Sequence, residues 1–320
     1  MFIPVFLIYA LTVAKKYRRL NISTMAEFFD KRFGGKFSEL TRALATLITL
    51  SFTWLAPATY LAGISVIGNV LLGVDTVTMA IVVTTICFIL SLTGGLITAI
   101  RSDIVAFIMI LIGIPILFFI GYNAAGGIGS FSQVFDPKFL SLKPVWDIDT
   151  FHFGVVLTWG FQVTLLYIAA PWYGQRIFSA KNDKIAYNGM LINTVLLAVL
   201  YGLVALATMF SRVLMPNLDN PEAALPMLIL NYASPVLQGL LLVTLLLVGT
   251  STIIAVWNSA VSIVINDLFK RYLIKDKSER FYINASRIGF IVIGITTMLF
   301  ALTFVGNILE SVIYLQVFTC

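Results

Sequence analysis

Uncharged stretches of bilayer length most constrain what this chain can fold into. Residues 79–92 and 104–119 contain no Asp, Glu, Lys, Arg or His, and comparable runs recur from one end of the 320 residues to the other. A helix rises about 1.5 Å per residue, so roughly 20 apolar residues cross a hydrocarbon core about 30 Å thick. Only 11% of the residues are charged against 59% apolar, and the mean hydropathy is +0.98. A soluble domain carries about a quarter charged residues. The expected fold class is therefore all-α integral membrane, a single transmembrane domain over 1–320 that crosses the bilayer many times.

Apolar runs and breakers divide the chain into nine segments, 2–14, 40–72, 77–99, 104–123, 152–173, 185–213, 235–265, 283–304 and 308–320. The first and last are too short to span, so the chain is expected to be part of a larger protein. Residues 1–14 lack the basic start and the small-residue cleavage pattern of a signal peptide. Of the 21 Lys and Arg residues, 18 fall in alternate loops: 15–42, Arg101, 176–184 and 270–287. The other loops hold Lys138, Lys143 and Arg212 among several carboxylates. The positive-inside rule places the first set in the cytoplasm. This clustering also turns the net charge of +6 away from nucleic acid, which is not expected as a partner. The expected location is the cell membrane, plasma or inner, with the lipid bilayer as surroundings and no obligatory protein partner evident.

Two loops carry structure of their own. Thr24-x-x-Glu27 is a capping-box pattern that starts a short helix, and Phe28, Phe29 and Phe33 beside Asp30, Lys31 and Arg32 set that helix at the membrane surface. The external stretch 216–235 is punctuated by four prolines, and its apolar middle is too short to span; a re-entrant or capping helix is expected there. Cys87 and Cys320 form no disulfide framework or metal spacing, and lone His152 reads as interfacial. Apart from Arg42 and Glu310 near segment ends, no ionisable residue is expected mid-span, which argues against a carboxylate proton relay or a voltage sensor. No His/Asp/Glu cluster, Ser–His pair or P-loop suggests an enzyme.

The stretch GTSTIIAVWNSAVSIVINDLFKR, from 249, is apolar yet rich in hydroxyls. On a helix, Ser251, Ala255, Ser259 and Ser262 fall on one face of small side chains, with Asn258 beside it. Two readings stay open. Small faces let transmembrane helices pack closely, and a serine can bond its own i−4 carbonyl. Alternatively, hydroxyls and freed carbonyls at mid-membrane bind sodium without a buried carboxylate.

Four stretches bear on the choice: TMAEFFDKRFG (24–34), TGGLITAIRSD (93–103), GQRIFSAKN (174–182), and EAALPMLILNYASPVLQGLLL followed by STIIAVWNSAVSIVINDLFKR (222–271). In order, spacing and topology they resemble the solute:sodium symporter family, sodium-coupled transporters of sugars, proline, pantothenate, sialic acid and iodide. The resemblance implies a transporter domain of two inverted five-helix repeats, the amino acid–polyamine–cation transporter-type fold, incomplete in this chain because core helix 1 has no counterpart. It implies Na+ as coupling ion and a small organic solute as partner. Carried over through Asn258-Ser259, the family's sodium ligands on core helix 8 fall on the Val248 carbonyl and the Ser251 and Thr252 hydroxyls.

Substrate residues follow less directly. Where sugar-transporting relatives carry Asn-x-Tyr-Tyr-Trp, this chain reads Val163 to Tyr167, and Leu197 replaces a lysine of a galactose-binding arrangement. Each lost hydrogen bond costs on the order of 1 kcal/mol, so a galactose-type site is not expected. Trp159, Gln162, Tyr167, Trp172 and Gln316 are vestibule candidates, with interfacial anchoring as the other reading. Arg101 and Asp103, after the Gly94-Gly95 turn, are candidates for an inward gate. The implied activity is sodium-coupled symport by alternating access; a proton-coupled or uncoupled permease of the same fold, or a non-transporting membrane sensor, are the alternatives.

Overall fold

All regular structure in the computed structural model is helical, and it describes residues 2–33, 37–137 and 153–305. Helix α1 (Phe2–Ile8) runs through a π-helical stretch, Tyr9–Ala14, into α2 (Lys15–Arg19). Then come α3 (Met25–Phe33), α4 (Ser38–Leu72), α5 (Thr76–Ala124), α6 (Phe153–Ala169), α7 (Pro171–Phe178), α8 (Asp183–Leu214), α9 (Ala224–Tyr232), α10 (Pro235–Ile263) and α11 (Glu279–Phe304). Six helical stretches among the described residues are long and apolar enough to cross a membrane. Many apolar side chains on them face outward, such as Ile192 and Val195 on α8, as helices solvated by lipid do.

The segments expected at 40–72, 185–213 and 283–304 appear as α4, α8 and α11. Four others differ. The spans expected at 77–99 and 104–123 lie in one continuous helix, α5, of 49 residues. Straight, it would measure about 74 Å. Yet near its start Met79 packs on Gly68 of α4, and near its end Ile120 joins a cluster that includes Leu71 of α4. Both ends thus meet the same end of α4, so α5 does not run straight along its length, and it holds two membrane-length portions, Thr76–Thr93 and Ile97–Ala124.

The segment expected at 152–173 is broken into α6 and α7 at Ala170, whose φ of −61° and ψ of 118° are extended. Pro171 imposes this, because its ring crowds an α-helical residue before it. Tyr17 supplies a donor to one carbonyl at the break, its hydroxyl reaching the Ile168 oxygen at 3.3 Å. The segment expected to stop at 265 instead continues from α10 as a π-helix, Val264–Leu273. This carries Asp267 into full burial. The expectation that no carboxylate lies within a span is corrected there. Residues 308–320 and His152 lie outside the described residues.

Both loops form the short helix expected of them. Thr24 Oγ1 accepts from the Glu27 amide at 3.4 Å, and Glu27 Oε2 accepts from the Ser23 amide at 2.9 Å, closing the capping box ahead of α3. In the proline-rich loop α9 forms a cap whose Leu228 and Ile229 are fully buried against α5, α8 and α10. Basic loops expected on one side also meet at one end of the bundle: Arg19 pairs with Asp183 at 2.6 Å, and Arg271 pairs with Glu39. The core is built around α10, which packs most extensively on α5 and α4.

Candidate functional site

Helix α10 begins with Pro235 at its first turn, where a missing N–H costs nothing. It presents two unlike faces. Ile253, Ile254, Trp257, Ala260 and Val261 join the main core with residues of α4, α5 and α11; Trp257 Nε1 donates to Thr297 Oγ1 at 3.1 Å and its ring lies 5.4 Å from Phe88. Gly249 brings α4 close, since a Cβ there would stand 2.1 Å from Ile64 Cδ1. The small face with Ser251, Ala255 and Ser259 is turned the other way and is also buried.

The hydroxyl cluster divides between these faces. Thr250 Oγ1 donates to the Leu246 carbonyl at 2.7 Å. Ser251 Oγ and Thr252 Oγ1 both donate to the Val248 carbonyl, at 3.1 and 2.8 Å. The three residues carried over as sodium ligands are thus gathered at a single oxygen. A hydroxyl has one proton and two lone pairs, so the Ser251 and Thr252 oxygens keep lone pairs for a hard cation, whereas both lone pairs of the Val248 carbonyl are taken by their two donors in this arrangement. Helix α10 is unbroken here, and the same bonds also serve the packing reading.

Of the vestibule candidates, Tyr167 and Trp172 both meet Tyr173, at ring-centroid distances of 5.2 and 6.4 Å. Tyr167 sits in an aromatic cluster, with ring centroids 5.0 Å from Phe6 and 5.2 Å from Tyr173. Trp172, beyond the α6–α7 break, stacks on Phe52 at 5.4 Å. Gln162 is half-buried on α6. Trp159 lies on the α6 backbone, its side chain outside the described structure, and Gln316 lies beyond the described residues. Val163 is buried, and Leu197 packs beside Tyr167 against one apolar cluster.

The gate candidates separate. Arg101 is exposed, while Asp103 pairs with Arg176 of α7, whose Nε donates to Asp103 Oδ2 at 3.2 Å. A second guanidinium bond, from Arg176 Nη2 to the same oxygen, completes the clasp. The sequence reading missed Arg176 because 73 residues separate the partners.

It also missed a buried charge network at the same end. Arg42 Nη2 donates to Asp267 Oδ1 at 2.8 Å, and their side chains are 7% and 0% exposed. Thr24 Oγ1 donates to the same carboxylate oxygen at 2.9 Å. Asp30 takes the other Arg42 amino group and a hydrogen bond from Ser38 at 2.6 Å. Burial pushes the Asp30 carboxyl up, but these hydrogen bonds and the charges of Arg42 and Arg271 outweigh it and hold it below its usual 3.8. The network ties α3, α4 and the end of α10 together.

Known proteins resemble the chain throughout. A rat protein, solute carrier family 5 member 4, is 24% identical over 332 residues, covering 88% of this chain and 48% of its own length. Mouse sodium/glucose cotransporter 1 is 26% identical over 318 residues, covering 87% of this chain and 47% of its own. The chain therefore spans about half the length of the curated relatives it matches. A solved structure of a Na+-coupled sialic acid symporter, substrate-bound and outward-open, superposes with a TM-score of 0.80 at 20% identity, over 95% of this chain and 66% of that one. It shares the fold. The model of the sodium:solute symporter family matches residues 1–317, and the chain belongs to that family.

Proposed function

We propose that this chain is the greater part of the transport core of a sodium-coupled symporter, which moves a small organic solute across the cell membrane by alternating access. Two inverted five-helix repeats would supply the rocking elements. The observation that carries the site is the convergence of the Ser251 and Thr252 hydroxyls on the Val248 carbonyl, on the buried face of α10 in a member of this family. Sodium held there favours the outward-open arrangement, and solute binds next. Coupling requires only that sodium bind the two arrangements unequally.

For the solute, Tyr167, Trp172, Gln162, Trp159 and Gln316 remain vestibule candidates. Sugars and cyclitols appear in the names of relatives, such as the mouse sodium/myo-inositol cotransporter 2. Here buried Val163 and half-buried Leu197 offer apolar surface where a galactose-type site needs hydrogen-bonding groups, which favours a less hydroxylated solute. Arg176–Asp103 replaces Arg101–Asp103 as the proposed inward gate.

The test is thermal unfolding of the full-length protein in detergent, in NaCl and in KCl at equal ionic strength. At ten times its dissociation constant, sodium at one site stabilises by about 1.4 kcal/mol. That increment is expected to vanish in Ser251→Ala/Thr252→Ala. Equal unfolding of the unmodified protein in both salts would leave the hydroxyls as a packing face and favour the proton-coupled or uncoupled permease.

A further inference from the structure

The break at Ala170 detaches α7 from α6, so helix continuity does not set where α7 lies. Side chains do, and two neighbouring residues reach opposite ways. Arg176 clasps Asp103 on α5. Gln175 meets α10, its Oε1 accepting from Ser259 Oγ at 3.0 Å. Ser259 is fully buried and lies eight residues, about 12 Å of helix, below Ser251 on the same face.

Ser259 has a second acceptor at nearly the same distance, the Ala255 carbonyl at 3.1 Å. A hydroxyl carries one proton. When Gln175 receives it, a hydrogen bond joins α7 to α10; when Ala255 receives it, the hydroxyl closes on its own helix and the Gln175 carbonyl oxygen loses its donor from α10. Gln175 and Asn258 also line a cavity of about 410 Å³, together with Ser262, Asn266, Lys270 and Glu279. The tie therefore stands between the cytoplasmic end of α10 and the face that carries Ser251 and Thr252.

We propose that Gln175 is a positioning residue that couples the sodium site to α7, because sodium favours the arrangement in which Ser259 gives its proton to Gln175. This rests on the sodium-site reading above. A ligand that prefers one arrangement binds more weakly when that arrangement loses population. One hydrogen bond of ordinary strength then corresponds to about a fivefold change in the sodium midpoint.

The experiment titrates NaCl against the thermal stability of the full-length protein, at constant ionic strength with KCl. It compares the unmodified protein with Gln175→Met, Ser259→Ala and the double variant. Each single variant is expected to raise the half-maximal sodium concentration about fivefold. The double variant is expected to match either single one, since both remove the same bond. A drop in stability in KCl with an unchanged sodium midpoint would make the bond mere packing and overturn the proposal. So would a double variant whose midpoint rises by the product, about 25-fold. If the unmodified protein shows no sodium-specific stabilisation, the sodium-site reading itself falls and this coupling with it, an outcome distinct from the other two. Should Gln175→Met fail to fold, Ser259→Ala alone, which removes only a hydroxyl, decides by its midpoint.

Discussion

Arg42 is where a single substitution is expected to do most damage. Its guanidinium and the Asp267 carboxylate are 7% and 0% exposed, and Arg42→Met leaves that carboxylate in the bundle with only the Thr24 hydroxyl, 2.9 Å away, as partner. Removing one member of a buried ion pair costs about 3–5 kcal/mol, because the survivor has lost water and has no counter-charge. Asp30 contributes less to the loss, since it keeps Ser38 at 2.6 Å and has Arg271 at 3.4 Å. The pair is itself imperfect: Arg42 Nε and Asp267 Oδ2 are buried without a protein partner. Replacing both members by apolar side chains of similar volume is therefore expected to recover most of the stability. The assay is denaturant unfolding in detergent followed by circular dichroism, for Arg42→Met, Asp267→Leu and the double variant. If the double variant is as unstable as Arg42→Met, or if Arg42→Met costs under about 1 kcal/mol, the survivor's unpaired charge is not what destabilises the protein.

Further outcomes follow from close packing in the core and from the charge on Asp30. Gly294→Ala is expected to cost about 1–3 kcal/mol, because its Cβ would stand 2.2 Å from Phe88 Cε1 and 2.9 Å from Trp257 Cη2, two rings held by their neighbours. Gly68→Ala is expected to cost less, since the atoms it meets belong to the flexible Met79 side chain, and the same unfolding assay compares the two. Asp30 has a folded-state carboxyl held below its usual 3.8, so it stabilises the fold fully above that value and loses the contribution as pH falls through the lowered one. A pH series of unfolding midpoints below about pH 4 is expected to be shallower in Asp30→Asn than in the unmodified protein; equal slopes would refute it.

Much of the topology was legible because membrane insertion leaves few solutions. Every backbone polar group must be satisfied inside the bilayer, so uncharged length translates into helices, and basic loops report their side. The segments around α4, α8 and α11 lie within a few residues of their expected bounds, and Thr24 and Glu27 closed the capping box that their spacing announced. The extension of α10 through Asp267 was not legible, because a carboxylate in a helix is read as exposed until its counter-charge is found. That counter-charge, Arg42, lies 225 residues away.

By itself, then, the amino-acid sequence determined the membrane class and the place of most membrane-length helices, while its resemblance to a known family singled out Val248, Ser251 and Thr252. The first two rest on local periods and on uncharged length. Only the tertiary structure decided that Arg176 rather than Arg101 meets Asp103, that Gln175 reaches Ser259, and that Arg42 goes inside. Each of those depends on which helix ends come to lie side by side. No local pattern encodes that, because a side chain's partner across the bundle is chosen by the packing of whole helices.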